Sequence, residues 1–113
     1  MGAVVMPSRG KGVQIASGSY VGNGKYGGSD QNTLVFPFEP KLVLISPNQS
    51  NAGVIAIFSY QGYYGINIHM SSMGDYNYEY AKWAGNSMSW YSSYGADYQM
   101  NKEGIVYYYV AFG

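Results

Sequence analysis

The stretch that decides the fold is Gly104-Ile105-Val106-Tyr107-Tyr108-Tyr109-Val110-Ala111-Phe112-Gly113, the longest unbroken run of strand-favouring residues in the chain. β-Branched and aromatic side chains suit a pleated surface, and a glycine bounds each end of the run. The pattern therefore predicts a central β-strand.

Both faces of this predicted strand are apolar. Alternation puts Val106, Tyr108, Val110 and Phe112 on one face and Ile105, Tyr107, Tyr109 and Ala111 on the other. A strand lying between a core and water should alternate apolar with polar residues, so both faces are expected to be covered. We predict that the first face packs into the core and that Ile105, Tyr107 and Tyr109 line an interface with another copy. The alternative is that the tyrosine hydroxyls simply reach water.

The rest of the chain repeats short apolar or alternating runs separated by turn residues. The predicted strands cover residues 13–21, 33–38, 41–46, 53–60, 63–70, 77–83, 87–91 and 104–113. No window carries apolar residues at helical spacing over three turns. The spacing predicts an all-β protein and favours an antiparallel β-sandwich of six to eight strands over a small barrel. Residues 1–12 are predicted to be a flexible lead-in to one domain, residues 13–113.

Composition excludes several classes of function. The 113 residues contain no cysteine, which excludes thiol catalysis and disulfides, and 11% are charged, with a net charge of zero. Soluble domains carry about 25% charged residues, so this surface favours association and offers no basic patch for nucleic acid. The apolar residues 1–6 are cut by Pro7, too short for a signal peptide or a membrane span. We expect no standard export and no membrane insertion.

One motif match is rejected on its context. Gly22-Asn23-Gly24-Lys25-Tyr26-Gly27 fits the G-x-G-x-x-G pattern of dinucleotide-binding loops. That loop works by opening a helix, whereas here more glycine and then a predicted strand follow. A flexible turn is the better interpretation.

The sequence offers little for catalysis. His69 is the only histidine, and no acidic residue lies near it in sequence to orient its ring. The acidic residues are scattered, so a glycosidase pair would require Asp75, Glu79 or Asp97 to converge in space. We predict no enzyme activity, no cofactor and no metal.

Aromatic and polar residues are concentrated in the predicted loops and at their borders. A ring beside a carboxylate or amide is the combination that recognises the apolar faces and hydroxyl edges of sugars. The alternative is ordinary turn composition together with buried tyrosine. The predicted glycan-binding residues are Tyr63, Tyr64, Asp75, Tyr76, Asn77, Tyr94 and Asp97.

Three segments together resemble the small C-terminal domains of bacteriophage tail-fibre and tail-tip proteins. They are residues 18–24 (GSYVGNG), residues 38–45 (FEPKLVLI), and residues 101–104 (NKEG) followed by Tyr107, Tyr109, Ala111 and Gly113, with Trp90 in NSMSW as a further match. The family is similar in layout to H-type lectins. The resemblance implies a homotrimeric β-sandwich, and glycan binding at cell surfaces in some members.

The expected function is therefore a phage adhesion domain that binds a host-surface glycan through tyrosine-rich loops. The expected partners are further copies of the chain, other virion proteins and a bacterial cell-surface glycan. The expected location is the virion surface, after synthesis in the host cytoplasm. The alternative is a purely structural virion protein, in capsid decoration or tail assembly, without a glycan ligand.

Overall fold

The structure, a computed structural model, describes residues 12–48, 54–59, 64–69 and 76–113. Its eight strands are β1 Ile15–Val21, β2 Asn32–Val35, β3 Leu42–Pro47, β4 Val54–Ser59, β5 Tyr64–His69, β6 Tyr76–Ala84, β7 Ser87–Tyr91 and β8 Val106–Phe112. Within these ranges the secondary structure contains no helix, and so none that could cross a membrane. The all-β prediction is confirmed, and every predicted strand is present.

The strands follow the order β1-β8-β3-β4-β5-β6-β7-β2, and each neighbouring pair is antiparallel. β8 lies between β1 and β3, where Phe112 pairs with both Ile15 and Leu42. The prediction that the last strand is central is confirmed.

The sheet folds over so that distant strands face each other, which gives a sandwich-like architecture. The Phe58 ring on β4 lies 5.5 Å from that of Trp90 on β7, between ring centroids. Tyr20 on β1 approaches the same Trp90 at 6.2 Å, although β1 and β7 lie near opposite ends of the strand order. Burying one such side chain contributes roughly 1.5–3 kcal/mol, so the contacts with Trp90 help to hold the two layers together.

The buried core is rich in aromatic and β-branched residues. Its buried hydrophobic members are Phe36, Phe38, Val43, Ile45, Ala56, Phe58, Met88, Trp90, Met100, Tyr107 and Ala111. Phe36 and Phe38 enter the core beyond the end of β2, which closes at Val35 and not at residue 38 as predicted. Pro37 has no N–H to continue the ladder, which explains the shorter strand.

The predicted assignment of the two faces of β8 is wrong. Tyr107 is 2% exposed and stacks on Tyr20, and Tyr109 packs edge-on against Phe36. Ile105 also packs against the core. Ile105, Tyr107 and Tyr109 therefore face the protein's own core, and the opposite face, which includes Tyr108 at 49% exposure, points outward.

Candidate functional site

The two connections that flank the ends of the strand order lie side by side. Residues 22–31 join β1 to β2, and residues 92–105 join β7 to β8. The Gly22 N–H donates to the Ile105 carbonyl at 2.8 Å, and the Gly104 N–H donates to the Gly22 carbonyl at 3.0 Å. These backbone bonds extend the β1–β8 pairing into the two connections.

Asn101 joins the two connections through its side chain. The Asn101 Oδ1 accepts from the Asn23 N–H at 3.1 Å, and its Nδ2 donates to the Asn23 Oδ1 at 2.7 Å and to the Lys25 carbonyl at 2.8 Å. Its backbone carbonyl accepts from the Gly24 N–H at 2.7 Å. Because Asn101 is buried, these bonds hold the first half of the 22–31 connection in one conformation.

Gln99 does the same for the second half of that connection. Its Oε1 accepts from the N–H groups of Gly27 at 2.9 Å and Ser92 at 3.0 Å. Its Nε2 donates to the Asp30 carbonyl and to the Asn32 Oδ1, both at 2.8 Å. Gln99 is fully buried, and its amide has every donor and two acceptor positions in use.

The glycine pattern of residues 22–27 serves this packing. A Cβ on Gly22 would collide with the Lys102 carbonyl, and Gly24 has a φ of +84°, which L side chains rarely adopt. No helix follows; Asn32 opens β2. The G-x-G-x-x-G match therefore marks a close approach of two backbone segments, and the connection is held by hydrogen bonds where a flexible turn was expected.

A groove of about 370 Å³ lies along the seam between β1 and β2, the two end strands of the order. We call it the seam groove. It is lined by Tyr20 and Val21 of β1, by Asn32, Thr33 and Leu34 of β2, by Asn23, Lys25, Asp30 and Gln31 of the first connection, and by Trp90 and Asn101. Amide groups and one charge of each sign surround a small apolar area.

The aromatic groups of the seam groove are fixed in place. The Tyr20 hydroxyl donates to the Met100 carbonyl and the Trp90 indole N–H donates to the Gln99 carbonyl, both at 2.8 Å. Met100 has a φ of 60°, an uncommon conformation for a residue other than glycine. The bond from Tyr20 helps to hold that conformation, since strained backbone persists only where its surroundings fix it.

Burial controls the protonation of Tyr20, which lines the groove, and of Tyr107, which stacks on it. Burial above all, and then Tyr107 and Glu79 nearby, raise the pKa of the Tyr20 hydroxyl, which an Asn32 hydrogen bond partly opposes. Burial also raises the pKa of Tyr107. Tyr20 therefore stays a neutral hydrogen-bond donor over the physiological pH range.

Glu79 lies in the same part of the core. The carboxyl group is fully buried on β6, and neither of its oxygens has a hydrogen-bond partner. Burial raises the pKa of Glu79 to about 9, so the group is protonated at neutral pH. A residue buried in this way does not share a solvent-accessible cleft with Asp97, which is exposed. Asp75, the third acid considered for catalysis, lies outside the described residues.

No group of three His, Cys, Asp or Glu side chains able to hold a metal ion occurs in the part of the chain that the structure describes. The seam groove contributes a single carboxylate, Asp30, to such chemistry. The amide and other polar groups that line the seam groove suit hydrogen bonding to a polar organic ligand.

The structure describes the side chains of two of the predicted glycan-binding residues, Tyr94 and Asp97. Tyr94 and Asp97 are exposed on the 92–105 connection, where the Tyr94 ring contacts Tyr98, and neither residue lines the groove. Tyr64 lies on β5 opposite Tyr80, and Tyr76 and Asn77 lie on β6; of these three, only Tyr76 was expected outside a strand. Tyr63 and Asp75 lie outside the described residues.

Sequence reasoning missed the residues that build the groove. Gln99 and Asn101 stand in a polar stretch that looks like a solvated turn, and their partners in residues 23–32 are about seventy residues away or more. The available signal was the coincidence of two amide residues before Gly104 with a glycine-rich connection of unusual length. That signal does not identify the partners.

Comparison of the chain with protein-family models, with curated proteins and with solved structures finds no match.

Proposed function

We propose that the protein is a glycan-binding adhesion domain and that the seam groove holds the sugar. The observation that supports this most directly is that Gln99 and Asn101 hold in one conformation the groups that line the groove, Asn23, Lys25, Asp30 and Asn32. Preorganised polar groups lose little entropy on binding, so they favour a ligand with many hydroxyls.

The chemistry of the lining favours a sugar over other small ligands. Asparagine and glutamine amides both donate and accept hydrogen bonds, as vicinal hydroxyls require. Tyr20, Val21 and Leu34 add an apolar area against which the C–H face of a pyranose can pack. With one lysine and one aspartate, the groove has no charge preference, which favours a neutral saccharide.

The biological setting belongs to the same proposal. The resemblance of residues 18–24, 38–45 and 101–113 to phage tail-fibre and tail-tip domains supports a role at the surface of a phage or phage-like particle. The ligand would then be a glycan of the host cell surface.

The test is glycan-array screening of the wild-type chain followed by calorimetry with the best saccharide. Lys25 and Asp30 line the groove, are exposed and can be replaced without disturbing the core. Hydrogen bonds to charged groups contribute about 1.5–3 kcal/mol, so Lys25→Ala/Asp30→Ala is expected to weaken binding by about tenfold or more.

The matched control is Tyr94→Ala, which removes an exposed aromatic residue outside the groove, and it is expected to leave the affinity unchanged. Loss of binding in Tyr94→Ala alone would move the site to the tyrosine-rich loops. Absence of binding to any saccharide or bacterial surface, together with tight binding to virus particles lacking the protein, would favour the structural virion role.

A further inference from the structure

The outward face of β1 and β8 carries three exposed apolar side chains. Ile15 and Val21 on β1 are 65% and 62% exposed, and Tyr108 on β8 is 49% exposed. A soluble monomer tolerates single exposed apolar residues, but a contiguous group needs an explanation.

The strand register extends this group across four neighbouring strands. One row runs Ile15, Phe112, Leu42 and Ser59, from β1 through β8 and β3 to β4. The next row runs Ser17, Val110, Leu44 and Ile57. Residues directly opposite each other share a face, so these rows form one surface, and none of their residues is charged. We call this surface the outer apolar face.

The opposite side of the same strands is already covered. Val43, Ile45, Phe58 and Ala111 alternate with the outer residues and are buried in the core. A sheet that is apolar on both sides is typical of one that is buried on both sides. The four strands therefore have the composition of an internal layer.

The size of the face fits an interface. At 4.8 Å between strands and 3.3 Å per residue, four strands of about six residues present roughly 20 Å by 20 Å, on the order of 400 Å². That area matches the largest apolar patches of monomers, which often serve a function. It is about half of the roughly 800 Å² per partner of a standard stable interface, so the rim around the face has to supply the rest.

We propose that a second copy of this chain packs its own outer apolar face against this one. An uncharged sheet face can pack against an identical face, because stacked sheets pack about 10 Å apart through interleaved side chains. The serines in the rows leave space opposite the larger residues. The zero net charge and the 11% of charged residues impose little repulsion between copies.

The test is sedimentation velocity and light scattering of the purified chain at micromolar concentration. The wild-type protein is expected to form an oligomer. Ser17→Arg/Ser19→Arg places two charges on exposed positions of the outer apolar face without touching the core, and it should raise the dissociation constant by at least about a hundredfold.

Two further variants separate this effect from misfolding. Tyr108→Ser removes an exposed ring from the face and should also weaken association. Val35→Arg adds a charge at a still more exposed apolar residue on β2, at the other end of the strand order, and should not weaken association. Thermal unfolding of each variant is compared with that of the wild type. A monomeric wild-type chain, or an oligomer that Ser17→Arg/Ser19→Arg leaves intact, would overturn the proposal.

The proposal stands apart from glycan binding. Monomeric Ser17→Arg/Ser19→Arg is expected to keep the wild-type affinity per site for a soluble saccharide, since Ser17 and Ser19 do not line the seam groove. A failure of sugar binding would therefore not count against the proposed interface. A monomeric wild-type chain would likewise not count against sugar binding.

Discussion

Two buried polar side chains in this molecule have opposite surroundings. Gln99 is hydrogen-bonded at both ends of its amide, whereas both oxygens of Glu79 lack a partner. Leaving a buried polar group unpaired costs about 1–3 kcal/mol. Gln99 therefore specifies the structure of the connections, and Glu79 destabilises the fold.

Glu79 is expected to make stability fall as pH rises. The folded protein keeps this carboxyl protonated up to a pKa of about 9, against an ordinary value of 4.5 in the unfolded chain. Between these values the folded state holds the extra proton, so the free energy of unfolding falls by up to about 1.4 kcal/mol per pH unit. This pH-dependent cost is absent below the lower value, grows between the two values, and is complete once pH has passed the upper one. Tyr20 and Tyr107 also titrate nearby, but their raised pKa values keep them neutral over this range.

Urea denaturation at a series of pH values checks this expectation. Glu79→Gln should remove the slope and become increasingly more stable than the wild type towards alkaline pH. The control is Glu39→Gln, at an exposed glutamate 3.8 Å from Lys41, which should change the curve little. Parallel curves for the wild type and Glu79→Gln would contradict the assignment.

At the level of elements, the sequence places the strands well but leaves their faces undecided. Alternation and turn residues mark the boundaries because the local pattern repeats with a period of two. In β8, however, both sets of alternate residues are apolar, so the pattern does not indicate which set faces the core. In the structure Tyr109 lies on the inward face of β8. Its ring packs against Gly18 of the neighbouring strand β1, at the place that a side chain on Gly18 would occupy.

The pairing of the two connections could not be predicted for a different reason. Gln99 and Asn101 each contact residues far away in sequence. Amide residues in a turn do not show from the sequence alone whether they are solvent-exposed or buried. Only the three-dimensional approach of residues 22–31 to residues 92–105 shows that these amides are buried.

Gly22→Ala tests this contact between elements. The added Cβ would collide with the Lys102 carbonyl, so the two connections must separate. Overpacking of this kind costs about 1–3 kcal/mol, which chemical denaturation measures directly. Gly12→Ala is the matched control, because nothing lies within 4 Å of its Cβ position. Equal stabilities for the two variants would show that the connections do not pack as described.

On the scale of the whole molecule, the two proposed surfaces have different chemistry. The seam groove is polar and lies between the end strands, whereas the outer apolar face covers β1, β8, β3 and β4. A domain that self-associates through one surface can present several copies of the other. Several weak sugar sites on one assembly then bind a cell surface far more tightly than one site does.

The low charge of the molecule gives an expectation for its assembly. Association through the outer apolar face should depend on apolar burial and hardly at all on ionic attraction. The dissociation constant is therefore expected to change by less than about threefold between low and high salt, since screening acts only on charges. Sedimentation equilibrium across a salt series measures this, and a steep weakening with salt would point to an ionic interface elsewhere.

The position of β8 also determines how the protein can fold. β8 comes after the other seven described strands in sequence, yet it lies between β1 and β3 in the sheet. Its two partners therefore belong to the opposite end of the described residues. Contacts between such distant segments form slowly, because the loop that they close is long. Until β8 inserts, β1 and β3 present unpaired edges on which other chains can add strands. The yield of folded protein therefore depends on whether β8 inserts faster than the incomplete sheet aggregates.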